Sequence, residues 1–218
     1  MAFCDDDDEW LPDKLRLQVA ALLDSERSSV VTCGICVRYK GRTFERLPGR
    51  SEIDSNQLLQ SRRVDAHLSA VLTYKEAFLS DIGPFDEQTP GGYGEDYDWL
   101  LRAAQHAPIA CLKASLVVVT WGGSWFAEHW KLIIPAIQYQ LEKHPELMTR
   151  RENLARMYGR LAFAHAATGQ RRAAALWSFR TIRLDPGQSR AYLALLVSTG
   201  LVSADRVVRA LRWIGRGV

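Results

Sequence analysis

Apolar residues along the chain either alternate with polar ones or recur every third and fourth position, and these two periods fix most of its elements. Leu15, Val19, Leu22 and Leu23 form one apolar stripe, so residues 11–23 predict a helix whose first turn suits Pro12. Val31, Cys33, Ile35 and Val37 share one face of a strand over residues 28–39. Lys40-Gly41 turns the chain, and residues 43–47 predict a hairpin partner. Asp54 or Ser55 begins a short helix through Leu59. Residues 68–73 predict a strand, and residues 75–81 a helix closed by Gly83. Tyr97, Leu100, Leu101 and Ala104 line one face of a further helix. Residues 109–112 and 115–120 predict two short strands. Trp121-Gly122-Gly123-Ser124-Trp125 predicts a turn, and residues 126–143 a long helix kinked at Pro135.

From residue 152 onward the pattern is helical throughout. Tyr158 and Tyr192 lie 34 residues apart, as do Leu161 and Leu195. With Gly169, Ala174 and Pro186, these positions resemble one tetratricopeptide repeat and the start of another. A free-standing solenoid needs about three repeats, so these helices are expected to pack on other parts of the chain. A plain helical extension is the competing reading.

Charge divides the chain in the same way. Residues 150–218 hold 13 Arg, no Lys and three acids, a net +10, while the rest carries −7. Such a split predicts two modules with different partners. No run of 18 apolar residues is present, and the N-terminus is acidic rather than basic and then apolar. The expected compartment is therefore the cytoplasm, with membrane association through the Arg-rich tail as an added possibility. Cys33-Gly-Ile-Cys36 has the spacing of a redox or zinc pair, but positions three apart on a strand face opposite ways and no second Cys pair exists. Reduced thiols are expected.

The candidate chemistry is carboxylate. Cys4-Asp5-Asp6-Asp7-Asp8-Glu9-Trp10-Leu11-Pro12 crowds five acids together. Such a run needs water or a cation to offset its repulsion, and hard oxygen ligands suit Mg²⁺, Mn²⁺ or Ca²⁺. The alternative is a solvated acidic turn in which Asp8 caps the next helix. A second acidic stretch runs Gly83-Pro84-Phe85-Asp86-Glu87, then Gly91-Gly92-Tyr93-Gly94-Glu95-Asp96-Tyr97-Asp98-Trp99.

The two stretches, in this order, resemble the donor and acceptor signatures of glycosyltransferase family 2, inverting enzymes of the GT-A fold. The resemblance covers about residues 3–145. It implies an α/β fold, with residues 1–147 as the C-terminal part of a GT-A domain and residues 148–218 as a helical, tetratricopeptide-like tail. It implies transfer of a sugar from a nucleoside-diphosphate donor to an acceptor hydroxyl, with inversion and with a divalent metal, Mg or Mn. Asp5, Asp6 and Asp7 would face the nucleotide, with Asp5 and Asp7 on the metal and Asp7 the stronger ligand. Asp96 would be the general base with Glu95 beside it, and Asp98, two residues into the helix, a structural or capping acid. The acceptor would be a saccharide or a lipid-linked hydroxyl.

Two departures bear on these expectations. Many family members place a metal-binding His where this chain reads Val119-Thr120-Trp121, and the nearest later imidazole is His129. Family members also carry a nucleotide-binding half of about three strands before the acidic motif, which here begins at residue 5, so the chain is expected to be inactive without such a half. The rival readings are a non-catalytic helical-repeat interaction module and, ranked last, a nucleic-acid binder, since the Arg residues spread over several helices.

Overall fold

The computed structural model describes residues 1–60, 67–122 and 129–216. It is an α/β structure with a mixed sheet followed by a series of helices. The chain packs as two units, Met1–Glu87 with Glu95–Gly122, and Gln88–Gly94 with Gly123–Val218.

The first unit holds the sheet. Its elements are β1 (Glu9–Trp10), α1 (Lys14–Leu23), β2 (Val30–Tyr39), β3 (Arg42–Arg46), β4 (Glu52–Ile53), α2 (Ser55–Gln60), β5 (Leu72–Thr73), α3 (Glu95–His106) and β6 (Ile109–Thr120). The strand order is β1-β6-β2-β3, with β4 against β6 and β5 against β2. β2 and β6 run parallel, and the other pairs are antiparallel. Val31, Cys33, Ile35 and Val37 are fully buried, as their alternation predicts.

β6 is one strand where the sequence suggests two. Leu112 pairs with Cys33 and Ser115 with Gly34, so Lys113 and Ala114 are absorbed as an irregularity in a continuous ladder. Gly34 permits it: a Cβ there would lie 3.0 Å from the Ala114 carbonyl oxygen and 2.7 Å from Leu47 Cδ2. The strand expected over residues 68–73 is shorter, with a 3-10 turn at Leu68–Ala70 before β5. The Ser69 amide donates to His67 Nδ1, which caps that turn and bends the chain away from the ladder. α2 begins as expected, with Gln57 N donating to Asp54 Oδ1 and the Gln57 side chain reaching back to Asp54 N.

Four rings form an aromatic core under the N-terminal segment. Phe3 lies 5.3 Å from both Phe78 and Phe85 and 6.2 Å from Trp99, between ring centroids. Trp99 is fully buried on α3, and its indole N–H donates to the Gly83 carbonyl. Ala2 bridges to Leu72, and the Thr73 amide donates to the Met1 carbonyl. Residues 1–3 are thus fixed on one side, and β1 is fixed against Val117 and Val118 on the other. The acidic run is the link between them.

The second unit contains α4 (Trp130–Lys143), α5 (Arg151–Ala167), α6 (Arg171–Leu184), α7 (Ser189–Ser198) and α8 (Ala204–Trp213). α4 continues through Pro135 as a single helix. The expected turn at residues 121–125 and the first residues of the expected helix fall on 123–128, outside the described residues. Ala162, Phe163, Ala174, Ala194 and Val207 share one small-residue core, and Tyr158 stacks edge-on against Trp177 at 4.8 Å. No helix among the described residues is long and apolar enough to cross a membrane.

Candidate metal and carboxylate site

The acidic run folds as a turn. The Asp8 amide donates to the Asp5 carbonyl at 3.1 Å, which brings the two ends of the turn together and leaves its corners outward. Asp6 and Asp7 stand exposed at the corners. Asp5 and Asp8 face His67: His67 Nε2 lies 4.0 Å from Asp5 Oδ2, and His67 Nδ1 lies 3.6 Å from Asp8 Oδ2. One ligand atom from each of Asp5, Asp8 and His67 falls within 4.8 Å of the others.

Asp8 does not cap α1, which starts after Asp13 without a side-chain cap. Its side chain is 1% exposed, and Oδ1 accepts the Thr120 amide at 3.2 Å. Its Oδ2 is buried with no hydrogen-bond partner among the described residues. A desolvated carboxylate oxygen without a donor is costly, and this one is aimed at the imidazole. The Thr120 backbone amide thus orients Asp8. The imidazole beside the carboxylates is His67. His129 lies in the second unit, immediately before α4.

Ser69 holds this arrangement. Its hydroxyl accepts the Asp5 amide at 3.0 Å, its carbonyl accepts the Trp10 indole N–H at 2.9 Å, and its own amide donates to His67. It is fully buried. Nothing in the hydrophobic pattern singles out Ser69 or His67.

Glu95 and Asp96 occupy the first turn of α3 in the same unit. Burial raises the Glu95 carboxyl above its ordinary range, and Asp96 and then Asp5 raise it further. Asp5 is raised as well, first by burial, with Asp8, Asp7 and Asp96 adding to the effect and His67 opposing it. The two acidic stretches, separated in sequence by almost the whole unit, therefore feel each other's charge. Asp98 is buried and paired with Arg102 at 3.0 Å, and Arg102 also donates to the Pro84 carbonyl. It is the structural acid its position suggests.

Beneath the turn, Lys14 is fully buried with its ammonium 4.1 Å from the centroid of the Trp10 ring and no hydrogen-bond partner among the described residues. Burial pushes its pKa down to about 8, and pushes the neighbouring Cys33 thiol up to about 11. All four cysteines are free thiols.

The donor set of two carboxylates and an imidazole fits a divalent cation, and the orphaned Asp8 oxygen is the atom such an ion would satisfy. Comparison with protein-family models, with curated proteins and with solved structures finds no match to the chain.

Proposed function

We propose that the first unit is the acidic half of a nucleotide-sugar transferase of the family 2 type, in which Asp5, Asp8 and His67 hold a divalent cation. The observation that carries this reading is the orphaned, buried Asp8 Oδ2 facing His67 and Asp5. An imidazole in the set favours Mn²⁺ over Mg²⁺, because nitrogen is a softer ligand than Mg²⁺ prefers. When bound, the ion would stabilise negative charge on a leaving diphosphate as a Lewis acid.

The remaining roles belong to the chain. The Thr120 amide holds Asp8 Oδ1 before any ligand arrives, and Ser69 fixes the Asp5 backbone from which that carboxylate projects. Asp96 and Glu95 are the candidate bases for an acceptor hydroxyl. A carboxyl raised above its ordinary value, as burial raises Glu95, takes up a proton more readily than a solvated one. The exposed Asp6 and Asp7 add negative potential around the turn, which draws cations towards it.

Calorimetric titration of the chain with UDP and GDP, with and without MnCl₂, tests the reading. Binding that requires Mn²⁺ and disappears on His67→Ala supports it. Metal-independent binding, or none to either nucleotide, removes the transferase assignment from this unit.

A further inference from the structure

α6 turns its side chains the opposite way from an ordinary surface helix. The residues it buries are small: Ala174, Ser178 and Thr181. They recur at helical spacing, and the Ser178 hydroxyl donates to the Ala191 carbonyl of α7 at 3.1 Å. The large apolar residues Leu176 and Phe179 lie on the other side of the helix, 49% and 63% exposed. A lone exposed hydrophobic residue is ordinary, but a helix that buries its small residues and presents its Leu and Phe together offers a face for contact.

Arginines frame that pair. Arg172, Leu176, Phe179 and Arg183 follow one another by four, three and four residues, so they lie within about 60° of each other around the helix and along about 17 Å of its length. Arg180 stands beside the stripe, its guanidinium 4.8 Å from the centroid of the Trp177 ring. At the N-terminal end, Arg171 Nη2 lies 3.1 Å from where a Cβ at Gly200 would stand, which puts it beside Leu201 in the bend after α7. Leu201 is 78% exposed. At the C-terminal end, Arg151 donates to the Arg183 carbonyl at 3.1 Å. α6 contains no acid, and among the described residues Arg172, Arg180 and Arg183 have no ion-pair partner.

We propose that this face of the second unit docks on an anionic membrane surface, with Leu176, Phe179 and Leu201 entering the headgroup boundary and the surrounding arginines meeting lipid phosphates. Charge complementarity selects the occupant. A frame of positive charge without acids calls for an anionic partner, and the exposed Leu and Phe at its centre call for a medium that accepts apolar groups without a matching pocket. An anionic bilayer interface supplies both. Arginine suits the rim of such a contact, because its stem lies along apolar surface while its guanidinium stays with water and phosphate. Nucleic acid would answer the charge and leave Leu176 and Phe179 without a role. The surface is independent of the carboxylate site and of the reaction assigned to it.

The test is co-sedimentation of the full chain with phosphatidylcholine vesicles and with vesicles of equimolar phosphatidylcholine and phosphatidylglycerol, at low and high salt, beside gel-shift titration with an RNA oligonucleotide. Binding to the anionic vesicles and not to the neutral ones is expected, weakening as salt rises. Arg172→Gln combined with Arg183→Gln should lower partition at least about tenfold, since each basic residue near such a surface contributes about fivefold. Phe179→Ser, which leaves the charge unchanged, should lower it by about tenfold through loss of the inserted ring. All three positions are exposed, so both variants should melt with the parent. Equal binding to neutral and anionic vesicles at low salt, or none to either, would overturn the proposal. Undiminished partition of Phe179→Ser would overturn it as well, since the contact would then be charge alone. RNA binding tighter than vesicle binding, weakened by the arginine variant and untouched by Phe179→Ser, would assign the face to nucleic acid instead.

Discussion

Replacing Asp8 by Asn separates the metal role of this side chain from its structural one. The amide keeps Oδ1, so the Thr120 N–H keeps its acceptor. It removes the negative charge on the orphaned Oδ2, which raises the neighbouring Asp5 carboxyl. Without metal, the variant should be as stable as the parent or slightly more stable. With metal the two should part. At a free Mn²⁺ concentration of about 100 times Kd, binding stabilises the native state by about 2.7 kcal/mol. Loss of an anionic ligand should cost at least about a hundredfold in affinity, since losing even an outer-shell partner costs 10–100-fold. At the same Mn²⁺ concentration that leaves about 0.4 kcal/mol. In a chain of this size about 1 kcal/mol moves Tm by roughly 2–4 °C. Mn²⁺ should therefore raise the parent's Tm by about 5–11 °C and that of Asp8→Asn by about 1–2 °C. Differential scanning fluorimetry across a MnCl₂ series measures both. Equal shifts would remove Asp8 from the metal site. A metal-free Asp8→Asn destabilised by more than about 1.5 kcal/mol would show that the carboxylate is needed by the fold, since that exceeds the usual worth of one hydrogen bond.

Three further outcomes follow from the geometry. In a form that has transfer activity, supplied with a nucleotide-binding half, Asp96→Asn should slow sugar transfer by about 10²–10⁴ while leaving Mn²⁺-dependent nucleotide binding nearly intact, as measured by kinetics beside calorimetry; near-parental turnover would place the base elsewhere. Lys14 has a native pKa of about 8 against an ordinary 10.5, so between those values the unfolded chain holds a proton that the native one lacks, and native stability rises with pH. The stability of Lys14→Met relative to the parent should therefore fall as pH rises from 8 to 10, and urea midpoints showing a constant difference would mean that the ammonium is not desolvated. Gly94→Ala forces a side chain onto a residue at φ +85° and drives its Cβ into the Gln140 amide, which donates to the Gly94 carbonyl at 3.1 Å. Left-handed strain of about 1–2 kcal/mol and overpacking of about 1–3 kcal/mol should lower stability by roughly 2–4 kcal/mol in chemical denaturation, and parental stability would show that the loop relaxes freely.

Most elements were legible from the spacing of their apolar residues, although burial goes beyond that spacing: β2 is buried on both faces from Val30 to Ile35, and α3 is buried without a break from Tyr97 to Leu101. The site was legible only in part. Asp5 and the Glu95-Asp96 pair stand out as residue types, and they do come within electrostatic reach of each other. Asp8 lies with Asp5 beside His67 because a turn closed from Asp5 to Asp8 joins positions three apart; the pairing of Asp5 with Asp7 was implied by the resemblance alone. His67 and Ser69 carry no such signal. Their role arises from where a 3-10 turn meets β1, and that meeting depends on strand pairings distant in sequence. Lys113 and Ala114 interrupt the apolar pattern of β6, so the strand reads as two; only the partner strand, with its glycine, shows that the ladder continues.

The pairing of Glu9 with Val118 and of Trp10 with Val117 has a consequence for how the protein acquires its site. The second unit is assembled from neighbouring helices and should form from local encounters. The first unit closes a loop of more than a hundred residues to seat β1, and contacts of such separation form slowly because chain entropy is lost before they are rewarded. During synthesis the acidic turn emerges more than a hundred residues before its strand partners Val117 and Val118 and its Thr120 donor. Until then the carboxylates are solvated and lack the contacts that orient Asp8, so their geometry is set late in folding. Pulse-labelled hydrogen exchange should find the Thr120 amide protected late, after the amides of α5 and α6; early protection would mean that β1 docks before the sheet is complete.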